Sequence, residues 1–422
     1  MEYLIIRGGK KLEGEIRVAG SKNAALPLLA ASILIEGRVI FENVPQIKDV
    51  EIMLKILNHL GAEIIQGEKE LIINTKNINH RDLLLPEIKQ LRGSILFLGP
   101  VLAKYKKLKL FTPGGDVIGS RSIDAHLKAL EDLGVKFKQY NQTIEAYFDK
   151  LTNYQTILRE ISVTASENLI MFSCFSKKPI RLRLVAIEPH IQTLCLFLKK
   201  AGFKISGIGS HFLTVGRGER IKKELRFKIP PDEIESATFL SLALATKSRL
   251  IITNNNPNNL DSLFVILKDM GANIEIKNST FITKESKLKG VKIQTGLYPK
   301  LLSDLHPPLG VLATQAEGVT LIHEWLYENR FGYLRELEQM GANIEILDPH
   351  RAIVIGPTPL IGKEIKALDI RSGAALIIGA AIAKGESIIY DPQIIDRGYE
   401  RIVDRLKNIG LDIERKNLSP LT

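Results

Sequence analysis

Cysteine, tryptophan and long apolar runs are all scarce in this chain. Its 422 residues include two cysteines and one tryptophan. Cys174 and Cys195 lie in apolar, helix-like contexts without metal or redox spacing, so we expect buried thiols rather than a disulfide, and no metal site. The most apolar run, residues 373–383, is far shorter than the roughly 20 residues of a membrane-spanning helix. We therefore expect no membrane span.

Secretion signals and basic runs are missing as well. Residues 1–7 lack a basic stretch followed by an apolar core, and we expect a cytoplasmic protein. The net charge of +11 is compatible with a nucleic-acid or membrane patch, or with a cleft for a small polyanion such as a phosphorylated metabolite. The lysines are scattered over predicted helix surfaces, which disfavours nucleic acid and makes most of them plain solvated surface.

What the chain does have is an internal repeat. Six segments share an amphipathic helix, a glycine suited to a left-handed helix end, and an alternating strand. The glycines are spaced by 68 to 73 residues, at Gly61, Gly134, Gly202, Gly271, Gly341 and Gly410. This spacing predicts six repeats of about 70 residues.

A second helix lies in each repeat and is apolar nearly all round, as buried helices are. These helices are predicted at 23–34, 92–103, 164–175, 235–245, 306–317 and 371–383. The length predicts two α/β domains of three repeats each, with sheets outside and helices inside. Adjacent prolines near residues 227–232 mark the split, so we assign 21–230 to the first domain and 1–20 with 231–422 to the second. The first strand, at 3–18, could complete either domain, and the cleft between the domains is the expected ligand site.

Several cations stand at or before predicted helix starts, where they oppose the helix dipole at a cost of roughly 0.3 to 1 kcal/mol each. They are Lys22, Arg92, Arg121, Arg330, Arg371 and Arg397. Because these cations recur at equivalent positions, we expect them to bind an anion rather than to stabilise the fold. In the alternative explanation, Arg330 and Arg371 only pair with Glu328 and Asp369.

Other polar residues at helix starts have simpler explanations. Asp232 and Asp369 suit helix N-caps. His126 and His306 suit local hydrogen bonding, because no second ligand lies at metal spacing. A glycine-rich stretch at 111–122 predicts a mobile loop that closes over an anionic substrate.

Six motifs then stand in register over essentially the full chain. They are Gly-Ser-Lys-Asn at 20–23, Leu-Arg-Gly-Ser at 91–94, Pro-Gly-Gly-Asp-Val-Ile-Gly-Ser-Arg at 113–121, Ser-Asp at 303–304, Glu-Asn-Arg-Phe at 328–331 and Asp-Arg-Gly-Tyr-Glu-Arg at 396–401. Together they resemble the UDP-N-acetylglucosamine enolpyruvyl transferase (1-carboxyvinyltransferase) family of the EPSP synthase superfamily. The resemblance implies a two-domain inside-out α/β barrel and transfer of the enolpyruvyl group of phosphoenolpyruvate to the 3'-hydroxyl of UDP-N-acetylglucosamine. It implies no metal or organic cofactor, and we expect a monomer that binds neither nucleic acid nor membrane.

The resemblance also implies roles for individual residues. It implies that phosphoenolpyruvate is bound by Lys22, Asn23, Arg121 and Arg397. Contacts to UDP-N-acetylglucosamine fall on Arg92, Arg121, Ser122, Ile123, Asp124, Ala125, Ser162, Val163, Asp304 and Leu326. Catalytic roles fall on Asp304 as the base, Asp116 on the loop, Lys22 and Arg397, with Glu188, Arg330, Asp369 and Arg371 in support.

Asp116 departs from the family pattern, in which most members carry a cysteine at that loop position. A carboxyl can deliver a proton, but nearby Lys22 and Arg121 favour its ionised form, so we expect it to act as an acid only on desolvation or by sharing a proton with bound phosphate. Without the thiol, the protein is predicted to resist fosfomycin.

Further departures stand at Ser122, Glu160, Ile187, His190 and Ile394. They keep three alternatives open. The chain could be an enolpyruvyl transferase for another acceptor such as shikimate 3-phosphate, a silent UDP-sugar-binding relative, or an RNA-end-processing relative.

Overall fold

Each of the six repeat glycines ends a helix, as predicted. In the computed structural model their φ angles lie between +83° and +114°. This left-handed region is easily adopted by glycine and is costly for residues with a Cβ. At Gly61 a Cβ would also lie 2.8 Å from the carbonyl oxygen of Asn77. The repeat glycines therefore reverse the chain from each helix into the strand that follows.

The structure describes residues 2–115, 119, 122–219 and 221–417, and these divide into two bodies. The N-terminal body comprises 20–115, 122–219 and 221–230, and the C-terminal body comprises 2–19, 119 and 231–417. Each body has its own hydrophobic core. Among the described residues, no helix combines the length and apolar character needed to cross a membrane.

Thirteen α-helices occur in the described part of the chain. They are α1 Lys22–Ala31, α2 Lys48–His59, α3 Pro86–Gln90, α4 Leu98–Tyr105, α5 Asp124–Glu131, α6 Val163–Ser173, α7 Pro189–Ala201, α8 Glu233–Ala245, α9 Asp261–Asp269, α10 His306–Ala313, α11 Gly332–Gln339, α12 Ile370–Ile382 and α13 Ile402–Asn408. Short 3-10 helices are Ser32–Leu34, Arg92–Phe97, Pro257–Asn259, Ser303–Leu305 and Pro392–Arg397.

The strands of the described residues form six small sheets. They are β1 Glu2–Arg7, β2 Glu13–Arg17, β3 Arg38–Glu42, β4 Glu63–Gln66, β5 Glu70–Asn74, β6 Lys107–Phe111, β7 Lys136–Tyr140, β8 Thr143–Tyr147, β9 Gln155–Ile157, β10 Ile180–Arg183, β11 Lys204–Ser206, β12 Phe212–Gly216, β13 Glu224–Lys228, β14 Arg249–Thr253, β15 Asn273–Lys277, β16 Thr280–Lys284, β17 Lys292–Gln294, β18 Gly318–His323, β19 Asn343–Asp348, β20 Arg351–Gly356, β21 Glu364–Lys366, β22 Glu386–Tyr390 and β23 Asp412–Asn417.

Three sheets belong to each body. Those of the N-terminal body run β13-β3-β5-β4, β6-β8-β7 and β11-β12-β10-β9. Those of the C-terminal body run β15-β16-β14-β2, β17-β18-β20-β19 and β21-β22-β1-β23. The segment predicted as one strand at 3–18 is two strands, because Gly9 adopts φ +83° between them, and both join the C-terminal body.

The predicted buried helices form the interior of each body. In the C-terminal body α8, α10 and α12 pack against one another, and nearly every side chain in them is buried. In the N-terminal body α1, α4 and α6 are the counterparts. The inside-out arrangement of sheets around central helices is confirmed, with local differences from the predicted bounds. Residues 32–34 and 92–97 form 3-10 helices, α6 ends at Ser173 rather than Phe175, and α10 ends at Ala313 rather than Glu317.

Candidate functional site

A carboxylate held by two buried arginines is the main feature of the C-terminal body. Asp304 lies in the 3-10 turn that leads into α10, and about 30% of its side chain is exposed. Arg330 donates a hydrogen bond to its Oδ1, and Arg371 Nε lies 3.3 Å from its Oδ2. Both arginines are 3% exposed. The arrangement orients a carboxylate that is partly exposed to solvent.

The alternative explanation, in which these arginines only form local ion pairs with Glu328 and Asp369, is wrong. Arg330 pairs with Asp304 rather than with Glu328, and the guanidinium of Arg371 also meets Asp304, while Asp369 bonds the backbone instead. Burial alone would lower the pKa of Arg330, but Asp304 and other carboxylates raise it above its ordinary value. The pKa of Arg371 is likewise raised by neighbouring groups in spite of burial.

Asp232 and Asp369 are helix N-caps, as predicted. Asp369 Oδ1 accepts hydrogen bonds from the backbone N–H groups of Arg371 (2.9 Å) and Ser372 (3.1 Å). Asp232 Oδ1 does the same for Ile234 (2.8 Å) and for the residue after it (3.0 Å). The caps fix the first turns of α8 and α12, and the first turn of α12 carries Arg371 to Asp304.

Glu233 is a buried acid in the same cluster that the sequence analysis missed. It is the first residue of α8, and its buried Oε1 has no hydrogen-bond partner among the described residues. Burial, then Asp232, raises the pKa of its carboxyl to about 8. At neutral pH Glu233 therefore holds a proton. The only feature of the sequence that could have drawn attention to Glu233 is its position next to the N-cap residue Asp232.

Three further residues of the C-terminal body are the predicted site residues Leu326 and Arg397, and Tyr399. The backbone N–H of Leu326 donates to Oε1 of Glu324, at 2.9 Å. Arg397 is the last residue of the 3-10 helix 392–397. Tyr399 is buried, shares a 2.8 Å hydrogen bond with the hydroxyl of Thr238, and lies under the guanidinium of Arg371, 5.4 Å from its ring centroid. Aromatic stacking thus supports one of the two arginines that hold Asp304.

Lys22 forms an ion pair in the N-terminal body. It is the first residue of α1, after the N-cap Ser21, and Asn23 follows it. Its Nζ lies 2.7 Å from Oδ2 of Asp49, a fully buried carboxylate in the first turn of α2. Asp49 was not predicted, because it is 27 residues away and reaches Lys22 only through the packing of α1 on α2.

The residues of the predicted nucleotide contact come together at the starts of α5 and α6. Arg92 donates to the carbonyl oxygen of Ser122 at 2.9 Å, and the Ser122 hydroxyl accepts from the N–H of Asp124 at 3.0 Å. His126 Nε2 lies 3.0 Å from the hydroxyl of Thr164, one residue into α6.

This contact places neighbouring predicted residues beside one another. Ile123 precedes α5, Ala125 is buried within it, Ser162 precedes α6 and Val163 begins it. Burial, together with the charge of Arg92, lowers the pKa of His126 to about 3, so its imidazole is neutral. A neutral histidine bonded across two helix starts is a structural brace, as the sequence analysis expected.

Glu188 is not among these contacts. Glu188 precedes α7 in the N-terminal body, and burial raises the pKa of its carboxyl. Asp116 and Arg121 lie outside the described residues. Cys174 and Cys195 are buried free thiols, as predicted.

Comparisons with known proteins agree with the geometry. The family model for EPSP synthase (3-phosphoshikimate 1-carboxyvinyltransferase) matches residues 6–406. Among curated proteins, the chain is 39% identical to a UDP-N-acetylglucosamine 1-carboxyvinyltransferase of Treponema denticola, over 99% of this chain and 100% of the relative. Proteins of the same name from Campylobacter hominis and Pelagibacter ubique are each 38% identical, over at least 98% of both chains.

Solved structures support the fold. The enolpyruvyl transferase NikO from Streptomyces tendae matches with a TM-score of 0.90 at 22% identity, over 99% of both chains. An EPSP synthase from Acinetobacter baumannii matches with a TM-score of 0.76 at 19% identity, over the full length of both chains.

Proposed function

The chain belongs to the EPSP synthase family, and from this premise we propose that it transfers the enolpyruvyl group of phosphoenolpyruvate to the 3'-hydroxyl of UDP-N-acetylglucosamine, with release of phosphate. The observation that carries the proposal is the set of full-length relatives, 37% to 39% identical, that bear the name of this activity. The product is a peptidoglycan precursor, so we place the enzyme in the cytoplasm, as a monomer without metal or organic cofactor.

Asp304 is the proposed base. Its carboxylate is fixed by Arg330 and Arg371 and remains partly exposed, so a sugar hydroxyl can approach it. As the hydroxyl oxygen adds to C2 of phosphoenolpyruvate, its proton passes to Asp304 and a proton is added to C3. The adduct then loses phosphate from C2 and a proton from C3, which restores the double bond. A positioned base of this kind contributes about 10²- to 10⁴-fold.

Asp116 is the proposed donor of the proton to C3, in place of the cysteine of most family members. Lys22, Asn23, Arg121 and Arg397 are the proposed partners of the carboxylate and phosphate of phosphoenolpyruvate. Charge-assisted hydrogen bonds of this type contribute roughly 1.5 to 3 kcal/mol each.

The nucleotide is proposed to lie along the starts of α5 and α6, with Leu326 as a further contact. Arg92 already orders this segment through the carbonyl of Ser122. The free N–H groups at the start of α6 suit an acidic or carbonyl group of the nucleotide.

One assay tests the proposal. Phosphate release from phosphoenolpyruvate is measured with UDP-N-acetylglucosamine and, separately, with shikimate 3-phosphate. We expect release with the nucleotide sugar alone. Phosphate release only with shikimate 3-phosphate would show that this compound is the acceptor. Binding of the nucleotide sugar without phosphate release would identify a catalytically silent relative.

A further inference from the structure

Glu324 is a fully buried glutamate that directly follows β18. Its Oε2 accepts a hydrogen bond from the hydroxyl of Thr295 (2.9 Å) and lies 3.3 Å from Nε2 of His306. Its Oε1 accepts hydrogen bonds from the backbone N–H groups of Leu326 (2.9 Å) and Tyr327 (3.1 Å). A buried carboxylate needs such partners, because an unpaired charge in the interior is strongly unfavourable.

The histidine in this contact is neutral. Burial, followed by the charge of Arg330, lowers the pKa of His306 well below its ordinary value. Its Nδ1 lies 3.2 Å from the hydroxyl of Tyr333. His306 Nε2 lies close to the carboxylate of Glu324 but outside hydrogen-bonding geometry. Glu324 therefore packs against the side chain that begins α10, two residues after Asp304.

Glu324 therefore joins three segments of the C-terminal body. Thr295 follows β17, His306 begins α10, and residues 325–330 form the turn that carries Leu326 and Arg330. Electrostatically, Glu324 is also one of the carboxylates that raise the pKa of the buried Arg330, after Asp304 and Asp369. Two of these three segments adjoin or carry proposed site residues: the start of α10 follows Asp304, and the turn at 325–330 carries Leu326 and Arg330.

We propose that Glu324 is a positioning residue, which fixes Leu326 and Arg330 relative to Asp304 by holding the turn at 325–327 and the start of α10. The inference rests on the proposed function, because that function makes Leu326 and Asp304 contacts of the same substrate, UDP-N-acetylglucosamine. Glu324 acts through its neighbours and is itself fully buried.

The test compares four variants. E324A removes all the carboxylate contacts, whereas E324Q keeps a carbonyl oxygen for the two backbone N–H groups and loses the second acceptor. T295V removes the hydroxyl that donates to Glu324 and also accepts a hydrogen bond from the backbone N–H of Trp325 at 2.9 Å, in the same turn. T283V is the matched control, because Thr283 is an equally buried threonine with two hydrogen bonds, to Leu250 and Ser248, in another sheet of the same body.

The readouts are kcat and the separate KM values for the two substrates. We expect E324A to raise the KM for UDP-N-acetylglucosamine about 10- to 100-fold, since a displacement near 1 Å has effects of that size. The KM for phosphoenolpyruvate should change less than about three-fold, because the displaced residues are proposed contacts of the nucleotide sugar, whereas kcat should fall as well because Arg330 holds the proposed base Asp304. E324Q should fall between E324A and wild type, T295V should raise the same KM several-fold, and T283V should match wild type.

Two outcomes would overturn the inference. One is a folded E324A whose kcat and KM for UDP-N-acetylglucosamine both match wild type, and the other is equal behaviour of T295V and T283V, which keeps the test decisive even when E324A does not fold. Wild-type protein that releases no phosphate with UDP-N-acetylglucosamine would instead refute the proposed function, and the inference with it.

Discussion

Replacing Glu233 with glutamine should remove a pH-dependent loss of stability. Burial, together with Asp232, raises the pKa of Glu233 from 4.5 to about 8 in the folded protein. In the unfolded chain the carboxyl titrates near its ordinary value, so the folded protein binds the extra proton between these two values. The free energy of unfolding therefore falls as pH rises from about 4.5 to about 8.

The size of the effect follows from the pKa difference. Each pKa unit corresponds to about 1.4 kcal/mol, so ionising Glu233 in the folded protein costs on the order of 5 kcal/mol. Glutamine has a similar shape and carries no charge. Between about pH 5 and about pH 9, wild type should lose about 3 to 4 kcal/mol of stability relative to E233Q.

Denaturant titration of both proteins at several pH values measures this difference. The control is E317Q, which changes an exposed glutamate of the same body and should follow wild type. If the difference in free energy of unfolding between wild type and E233Q stays constant to within about 1 kcal/mol over this pH range, the reasoning is refuted.

Three further predictions concern single charged residues. D304N should lower kcat by about 10²- to 10⁴-fold in the phosphate-release assay, and near-wild-type turnover would exclude Asp304 as the base. D116A should lose activity to a similar extent, and wild-type protein should show no time-dependent inactivation by fosfomycin; either opposite result would contradict the role given to Asp116. R405A should lower the free energy of unfolding by about 3 to 5 kcal/mol in thermal or denaturant unfolding. The reason is that it removes the charged partner of the buried Glu235 carboxylate, which lies 2.6 Å from Arg405 Nη1. R7A, at an exposed ion-pair cluster, should cost much less stability than R405A, and an equal loss in both variants would refute that explanation.

Local features were predictable from the sequence, because their causes lie within a few residues. The left-handed glycines follow from the end of a helical pattern, and the caps at Asp232 and Asp369 follow from an acid beside the start of one. The repeat spacing then gave the number of helices around each core. These features were enough for the fold class.

The partners of the charged site residues were not predictable in this way. Asp304 meets Arg330 and Arg371 from 26 and 67 residues away, whereas the only partners that the sequence analysis considered were the nearer Glu328 and Asp369. Sequence proximity favours neighbours, whereas packing of α8, α10 and α12 decides which helix starts meet. Glu324 escaped notice for the same reason, since its partners come from three separate segments.

The position of β1 has a consequence for the order in which the protein can fold during synthesis. Residues 2–7 pair with β22 on one side and β23 on the other, so the central strand of that sheet is made first and its two neighbours nearly 400 residues later. At about 5 to 20 residues per second, the ribosome needs roughly 20 to 80 s to supply them. The N-terminal body, which is continuous from 20 to 230 apart from the loop, can complete its core in that interval. The apolar strand Tyr-Leu-Ile-Ile meanwhile has both edges unpaired, and it is the segment of a nascent chain most in need of protection from aggregation.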